Sequence, residues 1–213
     1  MPRGIALTEE EQSRRRKEIF NASVHLFLSK GFNETSMREI AKAARIGKST
    51  LYDYFPSKDD ILLSFVEDEL QRLTEKMEEI ARQKIGAMEK LRQMMFAYMD
   101  YLATNEDFYM KLSFEVQRLA QESIERIQRK RHALQDLLRD MIEEGIREGS
   151  FRPVDSLLAT RVMLTALTPA VYTTRPSGSR QEMMEEAFTF VLKGIQGTPP
   201  AQVKRSAPGK SNA

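Results

Sequence analysis

A dense group of hydrogen-bonding and cationic side chains lies between residues 36 and 58. Lysine, arginine and hydroxyl side chains donate hydrogen bonds to phosphates and to the edges of DNA bases. The residues with these properties, with one glycine that permits close backbone approach, are Ser36, Arg38, Gly47, Lys48, Ser49, Thr50, Tyr52, Tyr54 and Lys58. Their types and spacing predict a site for double-stranded DNA, if the local fold presents them on one surface.

Some members of this group suit the bases and others suit the backbone of DNA. At the start of a helix that enters the major groove, Lys48 and Ser49 would face base edges. Tyr52, one turn later, suits a thymine methyl group or a phosphate, and Arg38 suits guanine. We expect these four side chains to carry most of the sequence preference.

The remaining polar side chains suit phosphates. Thr50 and Tyr54 offer hydroxyl groups, and Lys58 offers a point charge near a helix N-terminus, where free N–H groups also attract phosphate. Ser36 stands at a similar place before the preceding helix. For Ser36 the structural alternative is helix capping, and for Tyr54 it is packing in the core.

On both sides of this group, apolar residues recur at helical spacing. This pattern predicts the helices that must position the group. A helix is expected over about 11–30, with Gly31 in a left-handed cap. Ser36 and Glu39 have capping-box spacing at the start of a short helix. After a break at 45–47, a second short helix covers 48–54 and stops before Pro56. Two short helices joined by a tight turn predict a helix-turn-helix.

The rest of the chain also has helical periodicity, and no segment alternates with a period of two. A long helix capped by Ser57 is expected to end near Gly86. Five more are predicted over 87–104, 106–120, 122–148, 154–174 and 180–196. The predicted fold is all-α: an N-terminal three-helix helix-turn-helix domain (1–58) joined to a C-terminal helical ligand-binding and dimerisation domain (59–196). Residues 197–213 are predicted to be a disordered tail.

Composition excludes several other classes of function. The chain has no cysteine and two histidines, so disulfides, thiolate metal sites and histidine-based triads are not expected. No apolar run approaches the roughly 18 residues that span a bilayer, and the polar start does not resemble a signal peptide. We expect a cytoplasmic protein with no cofactor, no metal and no enzymatic activity.

Charge is distributed unevenly along the chain, although the total is only +2. Residues 1–58 contain 11 Lys and Arg against 7 Asp and Glu, which gives +4, whereas residues 59–196 sum to −5. A basic segment on an acidic body suits a polyanion at one end only.

The stretch 35–44, followed by 48–59, resembles the DNA-binding head of the TetR family. The most specific part is Leu-Tyr-Asp-Tyr-Phe at 51–55, followed by Pro-Ser-Lys at 56–58. The resemblance implies a homodimeric regulator, usually a repressor released from its operator by a small ligand, with a dimer interface built from the last two helices. The chain departs from the common pattern at Arg45-Ile46-Gly47, often Gly-Val-Ser, at Ser49, often glycine, and at Asp53.

Methionine and aromatic side chains concentrate between residues 94 and 114, where methionine can adapt to varied apolar molecules. They predict a pocket for a small hydrophobic or amphipathic effector, and the alternative is an ordinary helical core. Basic residues at 126–131 suit an anionic head group or a solvated helix face. The candidate effector residues are Met95, Tyr98, Met99, Tyr109, Phe114 and Met163.

Two apolar helices near the end of the chain suit a four-helix dimer interface, although packing within the subunit is the alternative. The candidate interface residues are Leu157, Leu164, Met184, Phe188 and Val191. The leading hypothesis is a ligand-responsive repressor that binds an inverted-repeat operator. The sequence does not distinguish a repressor from an activator. One rival is an enzyme, but the sequence has no catalytic motif. The other rival is an architectural DNA-binding protein, which a filled core would favour.

Overall fold

The computed structural model of the protein describes residues 8–197, and within this range the chain forms nine α-helices. The all-α prediction is confirmed, and the only extended pairing in the described part is an isolated antiparallel bridge between Phe151 and Gln196. The helices are α1 (Glu9–Lys30), α2 (Met37–Ala43), α3 (Lys48–Tyr54), α4 (Lys58–Ala81), α5 (Ala87–Thr104), α6 (Glu106–Gln117), α7 (Gln121–Arg147), α8 (Ser156–Val171) and α9 (Arg180–Ile195).

Helix α1 begins two residues before the predicted start, because Thr8 and Glu11 form a reciprocal capping box. At its other end, Gly31 has φ 106° and ψ 150°. The left-handed helical cap expected there is therefore wrong: the backbone has a positive φ but continues extended toward α2. The Gly31 N–H still donates to the Phe27 carbonyl, which closes the last turn.

Helices α2 and α3 form the predicted helix-turn-helix. Ser36 and Glu39 make a capping box at the start of α2, and Leu51 and Phe55 are buried where α3 meets the head core. Between the helices, Arg45 has φ 56°, in the left-handed region that favours glycine. The tight turn therefore depends on Arg45, which stands where the family that this chain resembles commonly has glycine.

One apolar cluster joins the helix-turn-helix to the helices that follow it. It contains α1, α2 and α3 residues together with residues 61–70 of α4 and apolar residues of α6. The Phe65 ring lies 5.3 Å from Phe20 of α1 and 4.1 Å from Phe108 of α6, measured between centroids. We call the helix-turn-helix with α1 the head, and α4–α9 the body. The domain boundary at 58/59 stays a prediction.

A second cluster fills the body, with α5 between its neighbours. Leu91, Met94, Met95 and Met99 of α5 are fully buried against α4, α7, α8 and α9. The far end is closed by the Phe151–Gln196 bridge and by a hydrogen bond from Gly197 N to the Ser150 carbonyl. Gly197 is thus tied to the body, and the rest of the predicted tail, 198–213, lies outside the described residues.

The positive φ of Arg45 generates a stability prediction. Replacing Arg45 by glycine should raise the free energy of unfolding by about 0.5–1 kcal/mol, because glycine has no Cβ to clash in this conformation. Equilibrium urea unfolding measures the change. The matched control is Arg45→Ala, which also removes the charge but keeps a Cβ. A glycine variant no more stable than the alanine variant would show that the turn is not strained.

Candidate DNA interface and effector pocket

Helix α3 presents a polar face to solvent and an apolar face to the head. Lys48, Ser49 and Tyr52 are exposed, whereas Leu51 and Phe55 are buried and fix the orientation of the helix. The Lys48 ammonium lies 5.7 Å from the centre of the Tyr52 ring. The three side chains of α3 that are predicted to read bases are therefore brought together on one surface.

Helix α2 contributes Arg38 and Ser36, which are also exposed. The Ser36 hydroxyl accepts from Glu39 N at 3.2 Å and donates to the Glu39 carboxylate at 2.7 Å. A hydrogen bond from Lys30, then those from the Ser36 backbone and hydroxyl, lower the pKa of Glu39 to about 2. Ser36 therefore has the capping role given as its structural alternative, and a phosphate contact stays a prediction.

Lys58 is turned inward, toward the segment that joins α1 to α2. Its ammonium donates to the Phe32 carbonyl at 2.6 Å and the Asn33 carbonyl at 3.4 Å, and lies 4.7 Å from the centre of the Phe32 ring. These contacts tie α4 to the head. Hydrogen bonds to backbone carbonyls that are distant in the sequence leave no recognisable pattern of residue types, so the sequence analysis did not predict this role.

Arg16 is a second residue whose structural role the sequence did not reveal. Its guanidinium donates to the Tyr54 carbonyl at 3.4 Å and to the Ser64 hydroxyl at 3.1 Å, and lies 4.4 Å from the centre of the Phe55 ring. It joins α1 to the end of α3 and to α4. Of the two phosphate candidates in α3, Tyr54 packs against the head core and Thr50 is half-buried.

A cavity of about 590 Å³ lies in the body between α4, α5, α6, α7 and α8. Among the described residues that line it, Arg131 alone carries a charge. The lining is otherwise apolar, tyrosine or neutral polar: Leu70, Tyr98, Tyr101, Leu102, Tyr109, Leu134, Gln135, Leu164, Thr165, Thr168, Pro169 and Tyr172. Such a lining suits a mainly apolar molecule oriented by a few polar contacts.

Two of the six predicted effector residues, Tyr98 and Tyr109, line this cavity. Met95, Met99 and Met163 are buried in the body core instead, because they lie on helix faces that pack against neighbouring helices. Phe114 is 72% exposed on the outer side of α6, away from the core side of that helix. None of these four residues lines the cavity, whose described lining contains four tyrosines and four leucines and no methionine.

The tyrosines of the cavity are held by hydrogen bonds and stay neutral. The Tyr101 and Tyr109 hydroxyls lie 2.5 Å apart, and the Tyr172 hydroxyl donates to the Leu102 carbonyl at 3.1 Å. Burial, then the neighbouring Tyr109, raises the pKa of Tyr98 to about 12, and burial also raises the pKa of Tyr101 and Tyr109. The phenols therefore serve as uncharged hydrogen-bonding groups near neutral pH.

The predicted dimer residues divide between the core and the surface. Met184 and Phe188 are buried in the body core, so their side chains are not available for a contact between subunits, and Leu164 lines the cavity. Leu157 and Val191 are half-buried. Both faces of α8 and α9 carry apolar residues, so the sequence could not separate core positions from surface positions, and the dimer interface stays a prediction. The large apolar side chains that are exposed on these helices are Leu158, Val162 and Phe190.

Within residues 8–197, no helix combines the length and the apolar composition that a membrane-spanning segment requires. The same residues contain no group of three or more histidine, cysteine, aspartate or glutamate side chains placed to hold a metal ion.

Comparison with known proteins identifies the fold and the kind of protein. Residues 19–65 match the family model described as bacterial regulatory proteins, tetR family. Residues 84–195, more than half of the chain, match the model described as tetracyclin repressor-like, C-terminal domain. The chain belongs to the TetR family. It is therefore a DNA-binding transcriptional regulator and not an enzyme.

Three relatives illustrate the range of this similarity. The fatty acid metabolism regulator protein of Bacillus subtilis is 26% identical over 157 residues, which cover 73% of this chain and 81% of the relative. The repressor KstR2 of Rhodococcus jostii is 29% identical, with 86% and 92% covered. The solved structure of the ketosteroid transcriptional regulator KstR2 of Mycobacterium tuberculosis has a TM-score of 0.68 and 26% identity, with 86% and 96% covered.

The inward position of Lys58 predicts that two lysines of this TetR-family head act differently. Lys58→Met should lower the free energy of unfolding by about 1–2 kcal/mol, because charged hydrogen bonds to carbonyls are lost. Lys48→Ala should leave stability within about 0.5 kcal/mol, since the side chain is exposed, and weaken DNA binding. Urea unfolding and fluorescence anisotropy with DNA measure the two effects. If Lys58→Met lost only DNA affinity, its ammonium would act on DNA instead of holding the head.

Proposed function

We propose that this TetR-family regulator represses transcription from an inverted-repeat operator and is released by an amphipathic effector with an apolar body and an anionic group. The observation that carries the proposal is the cavity of about 590 Å³, with Arg131 as its charged residue among apolar and tyrosine walls. A cavity next to helices that pack on the head favours a ligand-responsive regulator over an architectural protein with a filled core.

On the DNA side, Lys48, Ser49, Tyr52 and Arg38 contact base edges in the proposed complex. Their exposure on α3 and α2 supports this assignment. The contacts to the DNA backbone are assigned to Ser36, Gly47, Thr50, Tyr54 and Lys58. Because two carbonyls already accept hydrogen bonds from the Lys58 ammonium, only its remaining donor capacity can bind a phosphate. Phosphate contacts make affinity fall steeply with salt, whereas base contacts set the preferred sequence.

The dimer of this proposal forms through the outer faces of α8 and α9. Leu158, Val162 and Phe190 are exposed there, and Phe190 borders a groove of about 1000 Å³ that also includes Ala166 and Val191. A two-fold contact brings the same face of both copies together. Two heads related by a two-fold axis read an inverted repeat whose half-sites are about 34–36 Å apart, or a multiple of that.

The proposed effector class follows from the lining of the cavity. An apolar body gains free energy from leaving water, by about 25 cal/mol for each Å² buried. Arg131 suits a carboxylate or phosphate, which its guanidinium can bind through two hydrogen bonds. The names of two relatives, a fatty acid metabolism regulator and a ketosteroid transcriptional regulator, support an apolar effector.

Helix α6 connects the cavity to the head. Tyr109 lines the cavity, and the preceding residue, Phe108, contacts Phe65 of α4, which stacks on Phe20 of α1. An effector that moves α6 therefore moves the packing of the head. To invert a 1:99 equilibrium, effector binding must favour the released form by about ten-thousand-fold, or about a hundred-fold at each of two sites.

The effector proposal predicts a loss of response in Arg131→Ala. Operator fragments selected from the genome are bound, and release is measured with palmitate, palmitoyl-CoA and the uncharged analogue hexadecanol. The concentration of palmitate or of palmitoyl-CoA needed for half release should rise about tenfold or more, because a charged hydrogen bond is lost. The response to hexadecanol and the DNA affinity without effector should not change.

The matched control is Arg129→Ala, which removes an exposed arginine from the same helix but outside the cavity. This variant should respond as the parent does. If none of the three compounds releases the operator, or if both arginine variants respond equally, the effector assignment is wrong while DNA binding remains.

The dimer proposal predicts that Phe190→Glu separates the subunits, since a charge would be buried without a partner. Light scattering should give the monomer mass at micromolar concentration, and operator affinity should fall about tenfold or more. Thr189→Glu, at the neighbouring exposed position outside the groove, is the control and should stay dimeric. A dimeric Phe190→Glu variant would exclude this face as the interface.

A further inference from the structure

Helix α6 exposes two large apolar side chains one turn apart. Met110 is 63% exposed and Phe114 is 72% exposed. Residues four apart lie on the same side of a helix, so they form one apolar surface, here called the α6 stripe. Neighbouring large apolar side chains in solvent commonly mark an interaction surface. Neither the DNA interface nor the effector cavity uses this stripe.

At one end, the α6 stripe borders the helices of the proposed dimer. Glu106, one turn before Met110, pairs with Arg180 at the start of α9 at 2.7 Å. The loop that precedes Arg180 contributes Arg175, Ser177 and Gly178 to the groove beside Phe190. The stripe is therefore continuous with the outer face of α8 and α9.

Along one side, the α6 stripe borders the head. Lys111, next to Met110, donates to the Leu28 carbonyl of α1 at 3.2 Å. Glu115, next to Phe114, accepts from the Asn33 side chain at 2.9 Å. A partner that covers the stripe would therefore lie directly beside the head.

We infer that a second copy of this chain covers the α6 stripe, as an extension of the α8–α9 dimer contact. This inference rests on the proposed dimer. The charged residues beside the stripe do not oppose such a contact: Asp107 and Lys111 pair with each other at 3.7 Å, so two copies meet without net repulsion from this pair. A two-fold axis also brings like surfaces together, as two apolar stripes require.

The contact would give α6 three fixed neighbours. Tyr109 lies in the cavity, Lys111 and Glu115 lie against the head, and the stripe lies against the second copy. A shift of α6 caused by an effector would then change the contact between subunits and the separation of the two heads together.

The absence of cysteine from the sequence allows a direct test, because Phe114→Cys creates a unique thiol. Its rate of modification by a maleimide reagent is measured in the dimer and divided by the rate for the same variant unfolded in urea. The control is Glu79→Cys, exposed on α4 about 20 Å along that helix from Phe65. The thiol at 114 should react about tenfold more slowly than the control thiol, since interface cores exclude solvent.

Adding Phe190→Glu to Phe114→Cys should abolish this protection as the subunits separate. Light scattering on each variant distinguishes the two ideas. If the protein is a dimer and both thiols react equally fast, the α6 stripe is uncovered and the inference fails while the α8–α9 dimer stands. If the parent chain is a monomer, the proposed dimer and the inference fail together. A slow thiol at 114 in a monomer would also overturn it, because no second copy would be the cause.

Discussion

The contact of Phe65 with Phe20 and Phe108 is the constraint on which the rest of the molecule depends. Phe65 belongs to α4, Phe20 to the head and Phe108 to α6, and all three rings are buried. Packed interiors transmit displacement because they contain little free volume. A movement of α6 toward or away from the cavity must therefore be taken up by α1 or α4. The hydrogen bonds of Arg16 and Lys58 span the same junction, so we expect the head to follow a displacement of α4.

The helices were predictable because the signals that bound them are local. The bounds of α3 and α5 agree with the prediction, since Gly47, Pro56, Gly86 and Asn105 interrupt the helical pattern next to them. The capping box at Ser36 and Glu39 also lies within four residues. The prediction of a left-handed cap at Gly31 was wrong, because the ψ angle of Gly31 depends on the direction of the chain that follows it. The local sequence does not determine that direction.

The sites were predictable only where one short segment forms them. The exposed face of α3 follows from seven residues, with Leu51 anchoring it. The cavity combines side chains from five helices, so sequence found Tyr98 and Tyr109 but could not separate them from Met95 or Met99 of the same segment. Helices α8 and α9 are apolar on more than one face, and periodicity could not tell which face lies inside.

Selectivity for an effector has to arise in a cavity whose buried donors are already occupied. Within residues 8–197, no buried side-chain nitrogen or oxygen lacks a hydrogen-bond partner. Tyr101 and Tyr109 bind each other, and Tyr172 binds the Leu102 carbonyl. A ligand that merely replaces such a bond gains little, since the net free energy of exchanging hydrogen bonds is small. Affinity must therefore come mainly from apolar burial, and discrimination from the shape between the tyrosines and from the charge of Arg131. Because Tyr109 takes part in the closed pair and stands on α6, a ligand that separates the two hydroxyls would act on the helix that reaches the head.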